Sequence, residues 1–298
     1  MPRRPPQLLD SSYTMSINNI VKESIGIMLL HPTCFHSISF FLFSPLPLSL
    51  FISHFLLHCY PQLPTSAITL ADHLLGQQEV LPQLQLLSKT VVHIIICFPS
   101  SITFGLLGRA ATVQVVSDSY HGIYLDRRRL LMRSGWAWVK LLHTTFWEYL
   151  IILGLSGIFL SGLALGSNVL VAYGLCSRMV GFWGVLVLLG VPICLAFAHL
   201  MAVGNLARVL AMLKPECCGF ESLIKANQLM AGRRQTALAM ALLSNTGFRL
   251  VEHLLEFRMC KGINLWELPV LVSMYSLMLV FDTVMNAVFY YTCKAEDL

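Results

Sequence analysis

Apolar residues fall in six long blocks, at about 37–58, 90–107, 141–163, 180–203, 236–255 and 265–291, with polar segments between them. Each block is about 20 residues, the length that carries a helix across roughly 30 Å of hydrocarbon. The pattern predicts an all-α, polytopic membrane helix bundle with about six transmembrane helices. The second block is expected to continue past Arg109 as a helix to Tyr120. The fifth is the most polar, with Arg249, Glu252 and His253 near its end.

Two shorter stretches are amphipathic. In 16–30, Ile17, Ile20, Val21, Ile25 and Met28 recur at helical spacing, with Asn18, Asn19, Lys22 and Glu23 on the other side. In 217–230, Phe220, Leu223, Ile224 and Met230 share a face. Both are too short and polar to span, and predict helices lying at the membrane interface. The expected organisation is a disordered cytosolic N-terminus (1–14), an amphipathic interfacial helix (15–31), a six-helix transmembrane domain (32–292) and a cytosolic tail (293–298). Pro45 and Pro47 predict a kink near Pro47 in the first span, since buried spanning helices tolerate proline when neighbours satisfy the freed carbonyls. The 59–88 loop holds Pro61, Pro64 and Pro82 and a short helix near 68–75. Gly154, Gly157, Gly162 and Gly166 offer close-approach positions for another helix.

Composition strengthens the membrane reading. Hydrophobic residues make up 56% of the 298 and charged residues only 12%, and the mean hydropathy is +0.70. Soluble domains lie nearer roughly 45–50% apolar and 25% charged. The net charge of +5 is modest and clustered, which argues against nucleic acid as a partner. The nine cysteines show no CxxC pair and read as small apolar packing residues. Charge also sets an orientation: 15 lysines and arginines fall in the segments that hold the two termini and the 108–140 and 204–235 loops, against four in the opposite loops. Both termini are therefore expected in the cytosol. The absence of any Asn-x-Ser/Thr sequon fits small lumenal loops. Span lengths do not separate plasma membrane from endomembrane.

Several residues carry a resemblance. The stretch Ser44-Pro45-Leu46-Pro47-Leu48-Ser49 resembles a Pro-Leu-Ser element in the first span of an uncharacterised plant family of six-span proteins, and Ala110 to Val116 with Tyr120 looks like that family's small-residue end of span two. Gly219 to Arg233 is similar to a G-x-x-A-x-x-(K/R)-S-x-x-L-x-x-G-(K/R) element, also found in the membrane domain of some bacterial glycerophosphodiester phosphodiesterases. Gly219, Lys225, Leu229, Gly232 and Arg233 agree with it, while Ser222 and Ala226 exchange its small residues. The resemblance implies a six-helix membrane domain without the catalytic domain.

Candidate chemistry is sparse. Asp282 in the last block is a carboxylate near mid-membrane, where charge is costly and usually paired, and Arg249, His253, Glu252 and Glu148 are its potential partners. Arg249 and His253 are four apart and share a face. Arg127, Arg128, Arg129, Lys225, Arg233 and Arg234 are candidates for contact with lipid headgroups, each contributing about 1 kcal/mol near an anionic surface. Cys217-Cys218, beside the second amphipathic helix, suits S-palmitoylation. His54 and His58 form an HxxxH pair without the glutamate and further ligands that a zinc site needs. No metal, cofactor, catalytic constellation or phosphate-binding loop is expected. The expectation is a non-enzymatic membrane module that engages lipids, anionic ones among them, or other membrane proteins. The alternative is a small-solute transporter or permease with an intramembrane acidic site.

Overall fold

The computed structural model describes residues 17–59, 81–123, 127–172, 178–214, 217–261 and 266–296. Among them lie ten α-helices, two π-helical turns and no strand. In chain order the helices are α1 (Ile17–Leu30), α2 (Pro32–Ile38), α3 (Pro45–Cys59), α4 (Leu81–Ser100), α5 (Leu106–His121), α6 (Arg127–Ala172), α7 (Arg178–Leu213), α8 (Phe220–Leu229), α9 (Arg234–Lys261) and α10 (Glu267–Glu296). The π-turns, Ser39–Phe43 and Ser101–Gly105, join α2 to α3 and α4 to α5. The expected disorder of 1–14 and the short helix near 68–75 lie outside the described residues.

Five helical segments are long and apolar enough to cross a membrane: Pro32–Leu56, Thr90–His121, Met132–Gly166, Leu186–Leu213 and Glu267–Ala295. The chain is an all-α integral membrane protein. The sixth expected crossing, α9, is 28 residues long but too polar to qualify by composition. Its placement explains why. Arg233, just before α9, donates to the carbonyl of Cys293 near the end of α10 (3.0 Å), and Arg258 near the end of α9 pairs with Glu267 at the start of α10 (3.5 Å). The two helices are antiparallel and matched in reach, about 40–45 Å at 1.5 Å per residue. Ser244, Asn245, Arg249 and Glu252 of α9 line a cleft of the bundle while Thr246 and His253 are exposed, and together these polar residues hold its hydropathy below that of the five segments.

A proline lies close to each irregular turn: the π-turn at Ser39–Phe43 precedes Pro45, and that at Ser101–Gly105 follows Pro99. Carbonyls in and beside the turns find side-chain donors: Ser44 bonds Phe40 O, Thr103 Oγ1 donates to Pro99 O (2.7 Å), and Trp138 Nε1 reaches Ile102 O from α6 (2.9 Å). The irregularity expected near Pro47 sits ahead of Pro45, whose missing N–H opens a hydrogen-bond gap on its N-terminal side.

One end of the bundle, here called the base, is closely packed. It gathers α1, most of α5, the last turns of α7 and α10, and α8. Val113, Val115, Val116, Met285, Ala287 and Val288 are fully buried there. Tyr120 bonds Glu23 of α1 and stacks on Tyr291 of α10 at 4.3 Å, and Tyr291 Oη bonds Ser117 Oγ at 2.9 Å. α1 is therefore more than an interfacial strip: Ile20, Ser24 and Ile27 are buried against the bundle, while Ile25, Leu29 and Leu30 stay exposed. The expected tail at 293–298 begins inside α10, which runs to Glu296. Away from the base, α6 and α7 form a long hairpin with lipid-facing side chains such as Leu153, Ile158, Leu188 and Leu195. Gly154 and Gly157 face open space there rather than a partner helix, and Gly162 alone of the described set meets one, at Leu189.

Candidate functional site

Above the base, the helices diverge around a polar interior. Arg109 stands on the first turn of α5, Glu148 on α6, Asn205 and Arg208 on α7, and Asp282 and Asn286 near the middle of α10. Arg208 organises the group. Its Nη2 meets Glu148 Oε1 at 3.2 Å and Asn205 Oδ1 at 2.8 Å, and its Nε donates to Gly204 O at 3.2 Å. Glu148 is 4% exposed. A buried ion pair of this kind is expensive to break, because the remaining charge is left without compensation. Gly204 makes the approach feasible, since a Cβ there would fall on the Glu148 carboxylate. Asp282, 5% exposed, accepts from Asn286 Nδ2 at 3.1 Å. Two buried polar atoms, Glu148 Oε2 and Thr145 Oγ1, have no hydrogen-bond partner.

These residues border a cleft of about 630 Å³. Its polar wall includes Arg109, Thr145, Glu148, Asn205, Arg208 and Asp282, and its apolar wall Leu46, Ile152, Phe197, Met201, Leu242 and Phe248. A small cavity of about 20 Å³ continues from Arg109, Arg208 and Asp282 toward Asn286. On the side away from the base, a second cavity of about 350 Å³ is lined by His54, Thr90, His93, Arg249, Glu252 and Tyr275 among others. The last three also line the large cleft, so the two spaces adjoin at Arg249, Glu252 and Tyr275. Glu252 takes Arg249 Nη1 at 3.2 Å and Tyr275 Oη at 3.3 Å.

The expected pairing of Asp282 with Arg249 and His253 does not form. Arg249 turns to Glu252 and His253 lies 3.9 Å from Glu256, each on its own helix and with side chains more than four-fifths exposed. The i,i+3 neighbour is nearer than the facing helix, and Asp282 sits deeper, beside Arg109 and Arg208. Glu148, named among the candidate partners, does join the cluster, through Arg208. Arg109 and Arg208 counted in the sequence only as topology charges. The signal available was helix length: α7 continues unbroken to Leu213, which draws Arg208 inside the bundle.

The other candidates divide. Lys225 pairs with Glu221 at 2.6 Å and bonds Cys217 Sγ at 3.0 Å, and these two contacts hold its ammonium above the ordinary lysine range. Arg233 is engaged with the end of α10, whereas Arg234 is exposed. The side chains of Arg127, Arg128 and Arg129 lie outside the described residues, although their backbone opens α6. Cys217 is 1% exposed and shut off from acylation by packing, leaving Cys218 as the exposed member of the pair. In the Gly219–Arg233 element, Gly219 takes a left-handed φ of 65° and its N–H bonds Thr144 Oγ1 at 3.1 Å, fastening the turn into α8 to α6. Leu223, expected to dip toward lipid with Phe220 and Ile224, is instead buried. His54 faces His93 (ring centroids 5.5 Å), which is bonded to Ser53 at 2.8 Å, and the side chain of His58 lies outside the described residues. Among the described residues, no group of three or more His, Cys, Asp or Glu is placed to hold a metal ion.

A family model described as "Domain of unknown function (DUF8558)" matches residues 10–297. No curated protein matches the chain. No solved structure matches it either.

Proposed function

The chain belongs to this DUF8558 family of unknown function, and we propose that it is a non-enzymatic membrane protein whose intramembrane cleft receives the polar part of a membrane amphiphile. The observation that carries the reading is the cleft itself. It places three arginines and three carboxylates at the depth of spanning helices, against an apolar wall. Charge at that depth is costly and tends to mark a site for a ligand or ion. A lipid fits both walls at once, with its headgroup among the charges and its chains along Phe197, Met201 and Leu242. A bundle that only organised partner proteins would have no need of a charged, half-open cleft of about 630 Å³.

The rest of the reading follows the charge distribution. Both termini and the base face the cytosol, in a plasma or endomembrane not further specified, with Arg127, Arg128, Arg129 and Arg234 toward anionic headgroups. This layout resembles that of an uncharacterised plant family of six-span proteins. A second reading, a permease for a small solute, is favoured by the adjoining cavity. Two spaces that meet at Glu252 and Tyr275 resemble one route with a constriction.

Filling the cleft tests the proposal. Ala241 lines it and is half-buried. Ala241→Trp is expected to reduce by at least one the number of lipids that stay bound to the detergent-purified chain in native mass spectrometry. Unchanged lipid retention in a folded Ala241→Trp protein would remove the lipid reading. Solute uptake lost at the same time would favour the permease.

A further inference from the structure

The charges in the cleft are balanced in sign but not in pairing. Glu148 and Arg208 hold each other. Arg109 and Asp282 form no ion pair with any described residue, although both line the cleft and the small cavity beside it. Among the described residues, the side chain that donates to the carboxylate of Asp282 is the amide of Asn286, and the guanidinium of Arg109 donates to no side chain. An arginine and a carboxylate at spanning depth normally find each other, because the alternative is an uncompensated charge away from water. Here they line a common space, near enough to feel each other's charge but not joined by an ion pair.

A third observation points to the same space. Glu148 Oε2 and Thr145 Oγ1, three residues apart on α6 and both on cleft-lining side chains, are buried without a hydrogen-bond partner. Both can accept an N–H. A purely anionic ligand would satisfy Arg109 but leave the two carboxylates facing its negative charge. A purely cationic ligand would satisfy Asp282 but be repelled by Arg109.

We infer that the cleft takes a zwitterion, with its anionic group on Arg109 and its ammonium on Asp282, Glu148 and Thr145 accepting further N–H bonds. This rests on the reading of the cleft as a ligand site. The chemistry has two sources, the headgroup of a zwitterionic phospholipid or a free zwitterionic solute.

The test uses the full chain purified in non-ionic detergent and titrated by native mass spectrometry. The probes are phosphatidylethanolamine and phosphatidylglycerol, which share acyl chains and phosphate and differ in the ammonium, with soluble glycerophosphoethanolamine as competitor. The parent is expected to hold phosphatidylethanolamine about tenfold or more tightly than phosphatidylglycerol, the scale of one charge-assisted hydrogen bond. Asp282→Asn should abolish that preference by weakening phosphatidylethanolamine alone. Arg109→Gln should weaken both lipids, and Arg109→Lys should restore much of the loss. Displacement by the soluble headgroup at concentrations comparable to the lipid assigns the site to a free solute, and resistance to it assigns the site to the lipid.

Equal binding of the two lipids by the parent, still sensitive to Ala241→Trp, would overturn the zwitterion while leaving the cleft reading intact. Indifference of both lipids to Ala241→Trp would overturn the two together. The parent comparison needs no substitution at Arg109 or Asp282, so it decides even if those variants do not fold.

Discussion

At the scale of single residues, the charged pair of the cleft depends on a missing methyl group. The Arg208–Glu148 bridge requires α6 and α7 to come close at Gly204, where any Cβ would overlap the Glu148 carboxylate. Gly204→Ala must therefore push the carboxylate away from Arg208 or separate the helices, and overpacking of this kind costs about 1–3 kcal/mol. We expect the variant to unfold in detergent at a midpoint several degrees below the parent. Gly154, in the same helix hairpin but facing open space, is the control. Gly154→Ala should leave the midpoint unchanged or stabilise by up to about 1 kcal/mol through helix propensity. The two sites in contact should also be non-additive. Once Glu148→Ala has removed the carboxylate, Gly204→Ala should cost little more, and a full penalty in that background would show that the glycine serves some other contact.

At the scale of elements, hydropathy and interior geometry part company. The helices themselves were legible, because six apolar blocks and two amphipathic stretches name the elements, and Arg109 to Tyr120 does continue the second block as α5. The π-turns were not legible, since they arise from which neighbour supplies a donor to a freed carbonyl; Trp138, on a different helix, is one. The site was half legible. Asp282 and Glu148 stand out in apolar sequence, but Arg109 and Arg208 sit at the ends of their blocks, where a basic residue ordinarily marks the membrane edge. Only the unbroken extent of α5 and α7 brings them inward. α9 is the clearest case. Ser244, Asn245, Arg249 and Glu252 line the cleft and depress its hydropathy, although it runs the length of α10. If α9 crosses beside α10, cysteines placed at Arg234 and Arg258, in a background with the exposed native cysteines replaced, should react with a membrane-impermeant maleimide from opposite sides of sealed vesicles. Labelling of both from one side would mean that α9 lies on the surface.

At the scale of the whole molecule, the path of the chain fixes how its ends relate. α1 lies at the base, and Tyr120 at the end of α5 ties it to the last turns of α10. Between them the chain leaves the base along α2 and α3, returns along α4 and α5, leaves along α6, returns along α7, and leaves and returns once more along α9 and α10. With α9 as a sixth crossing the traverses are even in number and both ends share one face, and the proposed cytosolic orientation follows from the excess of lysine and arginine on that face. The sequence contains no Asn-x-Ser/Thr sequon, so an engineered one reports without background. In a eukaryotic secretory membrane, a sequon inserted between α6 and α7, or between α9 and α10 with a spacer to clear the bilayer, should be glycosylated. The same sequon ahead of α1 or after α10 should stay unmodified. Glycosylation at the termini with none between α6 and α7 would invert the orientation yet keep the traverse count. Modification at one terminus alone would break the count, and with it the placement of α9 beside α10 as a crossing pair.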